Sequence, residues 1–252
     1  MKMGRNLKDL LRRVPGLVVA HRHYVYWWPI IRDLPETRES INDRSHLKRD
    51  WDFESPAEQE RHELTLSAVA RQCPDLSGAD VLELGCSDGV FTARLAGRCA
   101  SVTACDISPV GLGLASRRCR PYGNVAFRKL DIARDAIPAP YDIVFAMDVL
   151  DSLHGRWRLR KVLKKLAEAV RPQGLLVVSA CRIAPELRGA FWQEWLPEGG
   201  DALIPLIARD PSLILVHSEV HPEPGLHFER YIEHVIAVFR KAGPGRKAEA
   251  VE

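Results

Sequence analysis

The spacing of hydrophobic and polar residues between positions 79 and 240 predicts alternating strands and helices. Short apolar runs predict buried strands, and segments with apolar residues three or four positions apart predict helices. The predicted strands are residues 80–84, 101–105, 125–130, 141–147, 174–181, 212–220 and 230–239. The predicted helices are residues 55–72, 90–96, 109–118, 156–170 and 201–209. Residues 182–200, with Phe191, Trp192 and Trp195, show neither pattern.

This alternation predicts an α/β fold. Because neighbouring parallel strands must be joined by long crossover connections, helices between strands indicate a mostly parallel sheet covered on both faces. The last two strands are separated by a Pro-Glu-Pro-Gly turn at residues 222–225. We therefore predict a sheet of seven strands that ends in a C-terminal antiparallel hairpin.

Residues 1–50 differ from the rest and predict an N-terminal helical, basic extension. They hold eleven Lys or Arg against six Asp or Glu, and residues 7–14 have the apolar spacing of a short helix that ends at Pro15 and Gly16. Packing on the main domain or on a second subunit is the favoured role, and contact with a membrane surface is the alternative. We predict a main domain at residues 51–240 and a flexible tail at 241–252, and the oligomeric state stays open.

Composition excludes several classes of protein. The chain of 252 residues is 46% hydrophobic and 27% charged, which is typical of a globular protein. Its net charge of +3 does not favour a nucleic-acid partner, and its apolar segments are too short to predict a transmembrane helix. The six cysteines form no C-x-x-C pair, so we expect no metal site. Charged residues and Pro15 interrupt the signal-peptide pattern of residues 1–20, so we expect a cytoplasmic protein with reduced thiols.

The segment at residues 81–91 predicts a strand, a glycine turn and the start of a helix. Gly85 and Gly89 form a G-x-x-x-G pattern, which differs from the G-x-G-x-x-G loop that holds a dinucleotide pyrophosphate. Asp88 would also repel a phosphate group. An acidic loop suits a ligand that carries an ammonium group in place of phosphates.

Two further acids follow predicted strands. Asp106 lies 21 residues after Gly85, where a carboxylate can accept hydrogen bonds from ribose hydroxyls. Asp131 could bind an adenine amino group while Ile132 packs on the ring. Capping of the next helix by Asp106 and of a turn by Asp131 are the structural alternatives.

Together these motifs resemble those of class I S-adenosylmethionine-dependent methyltransferases, which have a Rossmann-like fold. They are residues 83–89 (Glu-Leu-Gly-Cys-Ser-Asp-Gly), Asp106, residues 130–132 (Leu-Asp-Ile), residues 141–147 (Tyr-Asp-Ile-Val-Phe-Ala-Met) and residues 166–179. Residues 51–55 (Trp-Asp-Phe-Glu-Ser) and 58–61 (Glu-Gln-Glu-Arg) are similar to NodS-like methyltransferases. That family acts on amino sugars of lipo-chitooligosaccharides or on other small molecules.

The resemblance implies S-adenosyl-L-methionine as cofactor and assigns its contacts. It implies that Met147 lines the methionine part, that Trp51 covers the cofactor, and that Arg61 meets the cofactor carboxylate. The remaining cofactor-binding residues that it implies are Gly85, Cys86, Asp88, Gly89, Asp106, Ile107, Asp131 and Ile132. Cys86 is expected to be a small buried residue and not a nucleophile.

Two residues after the fourth strand are candidates for catalysis. Asp148 could orient or deprotonate an amine, and His154 could act as a base for a hydroxyl. Helix capping by Asp148 and a loop position for His154 are the structural alternatives. Trp192 and Trp195 could line a substrate site, although plain packing is the commoner role of such aromatics.

The predicted function is therefore transfer of a methyl group to nitrogen or oxygen of a small molecule, such as an amino sugar or a natural-product intermediate. An RNA or protein methyltransferase and an inactive cofactor-binding recruitment module are the alternatives. A nicotinamide-dependent oxidoreductase would need the glycine spacing that this chain lacks.

Overall fold

A computed structural model describes residues 35–48, 52–137, 140–150, 153, 156–183, 200–222 and 232–243. Its helices are α1 (Pro35–Lys48), α2 (Pro56–Gln72), α3 (Val90–Ala96), α4 (Pro109–Arg118), α5 (Arg156–Ala169) and α6 (Gly200–Ile207). Its strands are β1 (Asp80–Leu84), β2 (Ser101–Asp106), β3 (Val125–Lys129), β4 (Tyr141–Met147), β5 (Val170–Ile183), β6 (Leu213–Pro222) and β7 (Ile232–Lys241). The predicted helix at residues 7–14, the aromatic residues between 184 and 199, Trp51 and His154 lie outside the described residues.

The strands form one sheet in the order β3-β2-β1-β4-β5-β7-β6. The first five pair in parallel, and β7 pairs antiparallel with both β5 and β6. This confirms the predicted seven-stranded, mostly parallel Rossmann-like sheet with a C-terminal antiparallel hairpin.

The fifth strand begins earlier than residue 174, where the sequence predicted it. Val170 already pairs with Tyr141, and a register shift between Tyr141 and Ile143 absorbs the intervening turn. Gln173 has φ +67 within that turn, so the Pro-Gln-Gly segment forms an irregularity inside the strand. The hydrophobic pattern predicted a break between helix and strand at the same residues.

Buried side chains cover both faces of the sheet. One hydrophobic cluster joins alternate residues of the central strands, such as Leu82, Val144 and Leu176, to α5 and α6. The other joins the intervening residues, such as Val81 and Phe145, to α2 and α3. The strands therefore read as continuous apolar runs, as expected for parallel strands between two helical layers.

Helix α1 lies inside the region predicted as an extension, and it contacts the main domain through polar groups. Arg38 donates to Asp131 at 2.7 Å, and Lys129 pairs with Glu39 at 2.7 Å. Asp43 accepts a hydrogen bond from the hydroxyl of Ser108. The boundary at residue 50 stays a prediction, and α1 packs beside the cofactor motifs although it precedes that boundary.

Helix α5 carries a second basic segment, in addition to the one predicted at residues 1–50. It contains six Lys or Arg and one Glu. Its Trp157 is largely exposed, and the Lys161 ammonium lies 4.0 Å from the centre of the indole ring. The excess of basic residues is therefore not confined to residues 1–50.

No helix among the described residues is long and apolar enough to cross a membrane. All six cysteines lie in described segments and are free thiols.

Candidate functional site

A cavity of about 730 Å³ opens at the carboxyl ends of β1, β2 and β4. The strand order reverses between β1 and β4, and ligands of open α/β sheets bind at such a switch point. Helices α1 and α2 complete the walls of the cavity. Its size is typical of sites for small molecules and cofactors.

The loop after β1 needs glycine at both predicted positions. Gly85 and Gly89 have φ +79 and φ +83, and Ser87 between them has φ +52. A Cβ atom on Gly89 would lie 2.7 Å from the Cα atom of Ala115, which is backbone and cannot move aside cheaply. Cys86 is buried in this loop, and burial is the main cause that raises the pKa of its thiol.

Asp106 holds this loop to the next one. Its carboxylate accepts hydrogen bonds from the backbone N–H groups of Ser87 and Ser108, both at 2.8 Å. Burial raises its pKa, and those hydrogen bonds oppose the rise. A carboxylate has about four lone-pair sites, so Asp106 keeps acceptor capacity beyond these backbone donors. The hydroxyl oxygen of Ser87, which also lines the cavity, is buried and has no hydrogen-bond partner among the described residues.

The acids predicted beside the glycine loop and the adenine are engaged with arginines. Asp88 lines the cavity, but its carboxylate pairs with Arg118 at 3.0 Å. Asp131 accepts hydrogen bonds from Arg38 at 2.7 Å and from the backbone N–H of Ala133 at 3.0 Å. Ile132 is buried next to it, and Ile107 lines the same cavity.

A buried ion-pair network surrounds Arg61 at the other end of the cavity. Its guanidinium donates to Glu58 at 2.5 Å, to the hydroxyl of Ser179 at 2.9 Å and to Asp148. Burial alone would lower the pKa of Arg61, but the charges of Asp148 and Glu58 outweigh it and raise that pKa. Arg61 therefore already has carboxylate partners, and its predicted contact with a cofactor carboxylate stays a prediction.

Asp148 follows Met147 at the tip of β4 with φ +50, and both residues line the cavity. Burial opposes ionisation of its carboxyl group, but Arg61, His234 and Ser179 outweigh this effect and hold its pKa below the usual value. Asp148 is therefore an ionised carboxylate at neutral pH. Of the two predicted catalytic residues, His154 lies outside the described residues.

Several cavity residues were not predicted from the sequence. Arg38, Asn42 and His46 come from α1, and Glu83, His62, Cys181 and His234 come from the main domain. Burial raises the pKa of Glu83 to about 7, whereas burial and the cation of Arg61 lower that of His62 to about 3. Two features of the sequence could have indicated these residues. His62 directly follows Arg61, and Glu83 lies just before the glycine loop.

The fold, the glycine loop and the acid at the tip of β2 define a Rossmann-like domain of the class I methyltransferase type. Residues 36–207 match the family model "Nodulation protein S (NodS)". The chain therefore belongs to the NodS family. The matched region begins at residue 36, so it includes nearly all of α1.

The chain is similar to nodulation protein S and to methyltransferases of other names. The chain is 28% identical over 130 residues to nodulation protein S of Rhizobium tropici, covering 52% of this chain and 53% of that protein. It is 30% identical over 118 residues to a mitochondrial ubiquinone biosynthesis O-methyltransferase of Schizosaccharomyces pombe, covering 45% of this chain and 42% of that protein. The chain thus spans about half the length of these curated relatives.

A solved structure shows the same fold. The N-methyltransferase NodS of Bradyrhizobium japonicum WM9, in complex with S-adenosyl-L-homocysteine, superimposes with a TM-score of 0.67 at 22% identity. The match covers 81% of this chain and 97% of that one. At this identity the likeness is one of fold.

Proposed function

We propose that the protein is an S-adenosyl-L-methionine-dependent methyltransferase that acts on nitrogen or oxygen of a small molecule. The observation that carries the proposal is Asp106. This carboxylate is fixed by two backbone N–H groups beside a loop with positive φ at Gly85 and Gly89. Its remaining lone pairs suit the two hydroxyls of a ribose.

The charges of the cavity suit this cofactor better than a nucleotide. Its described lining contains seven acidic residues, Asp52, Glu58, Glu83, Asp88, Asp106, Asp131 and Asp148, against Arg38 and Arg61. Glu83, with a pKa of about 7, is partly protonated at neutral pH, and the other six still outnumber the arginines. A nucleoside sulfonium with an amino-acid tail carries no phosphate and has a net positive charge. An acidic cavity attracts such a ligand and repels a pyrophosphate.

The cofactor, when bound, supplies an activated methyl group. The protein then contributes mainly by holding the acceptor in line with that group, because alignment removes much of the entropic barrier. Asp148 is an ionised carboxylate at the tip of β4, next to Met147. It can bind an ammonium group of the acceptor or accept the proton that leaves the acceptor.

The relatives have varied acceptors, so we keep the acceptor class broad. Their names include an N-methyltransferase, a ubiquinone biosynthesis O-methyltransferase and the magnesium-protoporphyrin O-methyltransferase of Rhodobacter capsulatus. We propose an amino sugar, a glycan or a natural-product intermediate as the acceptor. The layout with a catalytic domain at residues 51–240 remains part of this proposal.

Calorimetric titration with S-adenosyl-L-homocysteine tests the cofactor. We expect one site, with binding reduced at least about 100-fold in Asp106→Ala, because two charge-assisted hydrogen bonds and the loop contact are lost together. Asp75→Ala is the matched control, since this exposed aspartate lies before β1 at the opposite edge of the sheet. Absence of binding to the folded wild-type protein would overturn the proposal.

The acceptor is then sought by mass spectrometry. Amino sugars, hydroxylated aromatics and quinols are incubated with the protein and cofactor, and products heavier by one methyl group are scored. We expect Asp148→Asn to lower turnover while leaving the affinity for S-adenosyl-L-homocysteine unchanged. Equal turnover by this variant would remove Asp148 from the proposed mechanism.

A further inference from the structure

Asp148, Cys181 and His234 lie close together at one end of the cavity, and each offers an atom of a type that binds metals. The Cys181 Sγ lies 3.2 Å from the His234 Nε2, and the Asp148 Oδ1 lies 3.7 Å from the same nitrogen. All three atoms lie within 4.8 Å of one another. Cys181 and His234 are direct cross-strand partners of β5 and β7, so their side chains project from the same face of the sheet.

This arrangement differs from that of a nucleophilic cysteine. In a catalytic triad the carboxylate binds one imidazole nitrogen while the other nitrogen faces the nucleophile. Here the thiol and the carboxylate both face Nε2. Convergence on one point is the geometry expected of ligands that share an ion.

Two of the three ligand separations are close to those of tetrahedral zinc, and the third is below 4.8 Å. Zn–S bonds of about 2.3 Å and Zn–N or Zn–O bonds of about 2.0–2.1 Å place neighbouring ligand atoms roughly 3.3–3.6 Å apart. The observed separations of 3.2 and 3.7 Å differ from this range by a few tenths of an ångström. Side-chain rotation alone can remove differences of that size.

The surrounding charges also permit a divalent cation. Arg61 contacts Oδ2 of Asp148, and Oδ1 faces His234 and the hydroxyl of Ser179. Arg61 is further neutralised by Glu58. Two carboxylates, one thiolate and one guanidinium sum to a charge of −2, which one divalent ion balances.

We propose that Asp148, Cys181 and His234 bind one zinc ion at the end of the cavity next to Arg61. This inference rests on the proposed function, and the ion would take the place of an acceptor ammonium group at Asp148. All three residues line that cavity, so an open fourth coordination position would be reached from it. Cys181 loses its thiol proton to solvent on binding, because the thiolate is the ligand. An acceptor hydroxyl bound at the open position would lose its proton to solvent more readily, because the ion favours the alkoxide, and the alkoxide is the better nucleophile. We expected no metal site from the sequence because the cysteines form no C-x-x-C pair, whereas Cys181 and His234, 53 residues apart, become neighbours through strand pairing.

The test uses untagged, full-length protein freed of metal by chelation. Zn²⁺ is titrated against a chromogenic chelator, and Co²⁺ is used as a spectroscopic probe of the same site. We expect one Zn²⁺ per chain and a sulfur-to-cobalt charge-transfer band. Cys181→Ser should abolish that band, and Cys181→Ser and His234→Asn should each lower Zn²⁺ affinity at least about 100-fold, since each removes one of three ligands.

Cys73→Ser and His217→Asn are the matched controls, because both residues lie outside the proposed ligand set. They should leave the zinc affinity and the cobalt band unchanged. Circular dichroism and titration with S-adenosyl-L-homocysteine show whether each variant folds and keeps the cofactor site. The inference is overturned if the wild-type protein binds no Zn²⁺, or if its cobalt complex lacks the sulfur band. Cofactor binding is measured separately, so failure of the zinc site leaves the proposed methyltransferase function standing.

Discussion

Glu83 gives the sharpest prediction for stability, because a carboxyl group is buried in the core beside the cofactor loop. It lies on β1 with 3% of its surface exposed, and Thr92 donates a hydrogen bond to it at 2.6 Å. Burial raises its pKa to about 7, the hydrogen bond opposes this, and Asp106 and Asp88 add to the rise. The unfolded chain restores the ordinary value of 4.5.

A pKa that is raised in the folded state means that folding favours the protonated carboxyl. Its stabilising effect is fully present below about pH 4.5 and is lost as the pH rises through about 7. For this single group, the free energy of unfolding should fall by about 2–3 kcal/mol between about pH 5 and about pH 8. The amide of Glu83→Gln does not titrate, so the variant should lose this component of the pH dependence.

Urea unfolding of wild type and Glu83→Gln at the two pH values measures the effect. The difference in unfolding free energy between the two proteins should change by about 2–3 kcal/mol in favour of the variant at the higher pH. Glu168→Gln is the control, because this glutamate is exposed on α5 and its pair with Lys164 at 3.8 Å should contribute little. If wild type and Glu83→Gln lose stability in parallel to within about 0.5 kcal/mol, the carboxyl is not protonated in the fold and the reasoning is refuted.

Two further substitutions test the loop and the N-terminal helix. Gly89→Ala should lower the free energy of unfolding by about 2–4 kcal/mol, because positive φ and the contact with Ala115 are both penalised. In the same thermal or urea assay, Gly123→Ala, where a Cβ meets nothing within 4 Å, should change stability little; equal effects at both glycines would contradict the argument. Arg38→Ala should weaken the docking of α1, with a coupling to Asp131→Asn of about 1 kcal/mol in a double-mutant cycle. Hydrogen exchange of residues 35–48 in the single and double variants measures the docking of α1. A coupling of zero between Arg38 and Asp131 would show that this pair does not hold the helix.

The central sheet and the cofactor loop could be predicted because they follow from local sequence. The strands alternate with helices at regular spacing, and Gly85, Gly89 and Asp106 lie at fixed distances after strand ends. Their proximity then follows from the geometry of a parallel sheet, in which the carboxyl ends of strands share an edge. The resemblance to methyltransferases added the identity of the ligand.

The other parts of the site depend on contacts that a sequence does not display. Helix α1 has no apolar face that would predict its place in the fold. Its position depends on partners such as Asp131, which lies 93 residues from Arg38 in the sequence. Cys181 and His234 each lie within a predicted strand, but only the register of β5 with β7 makes them neighbours. A register that differed by one residue would put one of the two on the opposite face of the sheet.

The reactivity of the cysteines near the glycine loop can be used to measure local opening of that part of the protein. Four thiols are almost fully buried there and in the adjoining core, and burial raises the pKa of each: Cys86, Cys99, Cys105 and Cys119. An alkylating reagent can reach such a thiol only when the surrounding segment opens, so its labelling rate measures the free energy of that opening. Cys73 and, in metal-free protein, Cys181 are only partly buried and should be labelled first. Slower labelling of Cys86 in the presence of a ligand would then locate binding at the glycine loop without any assay of turnover.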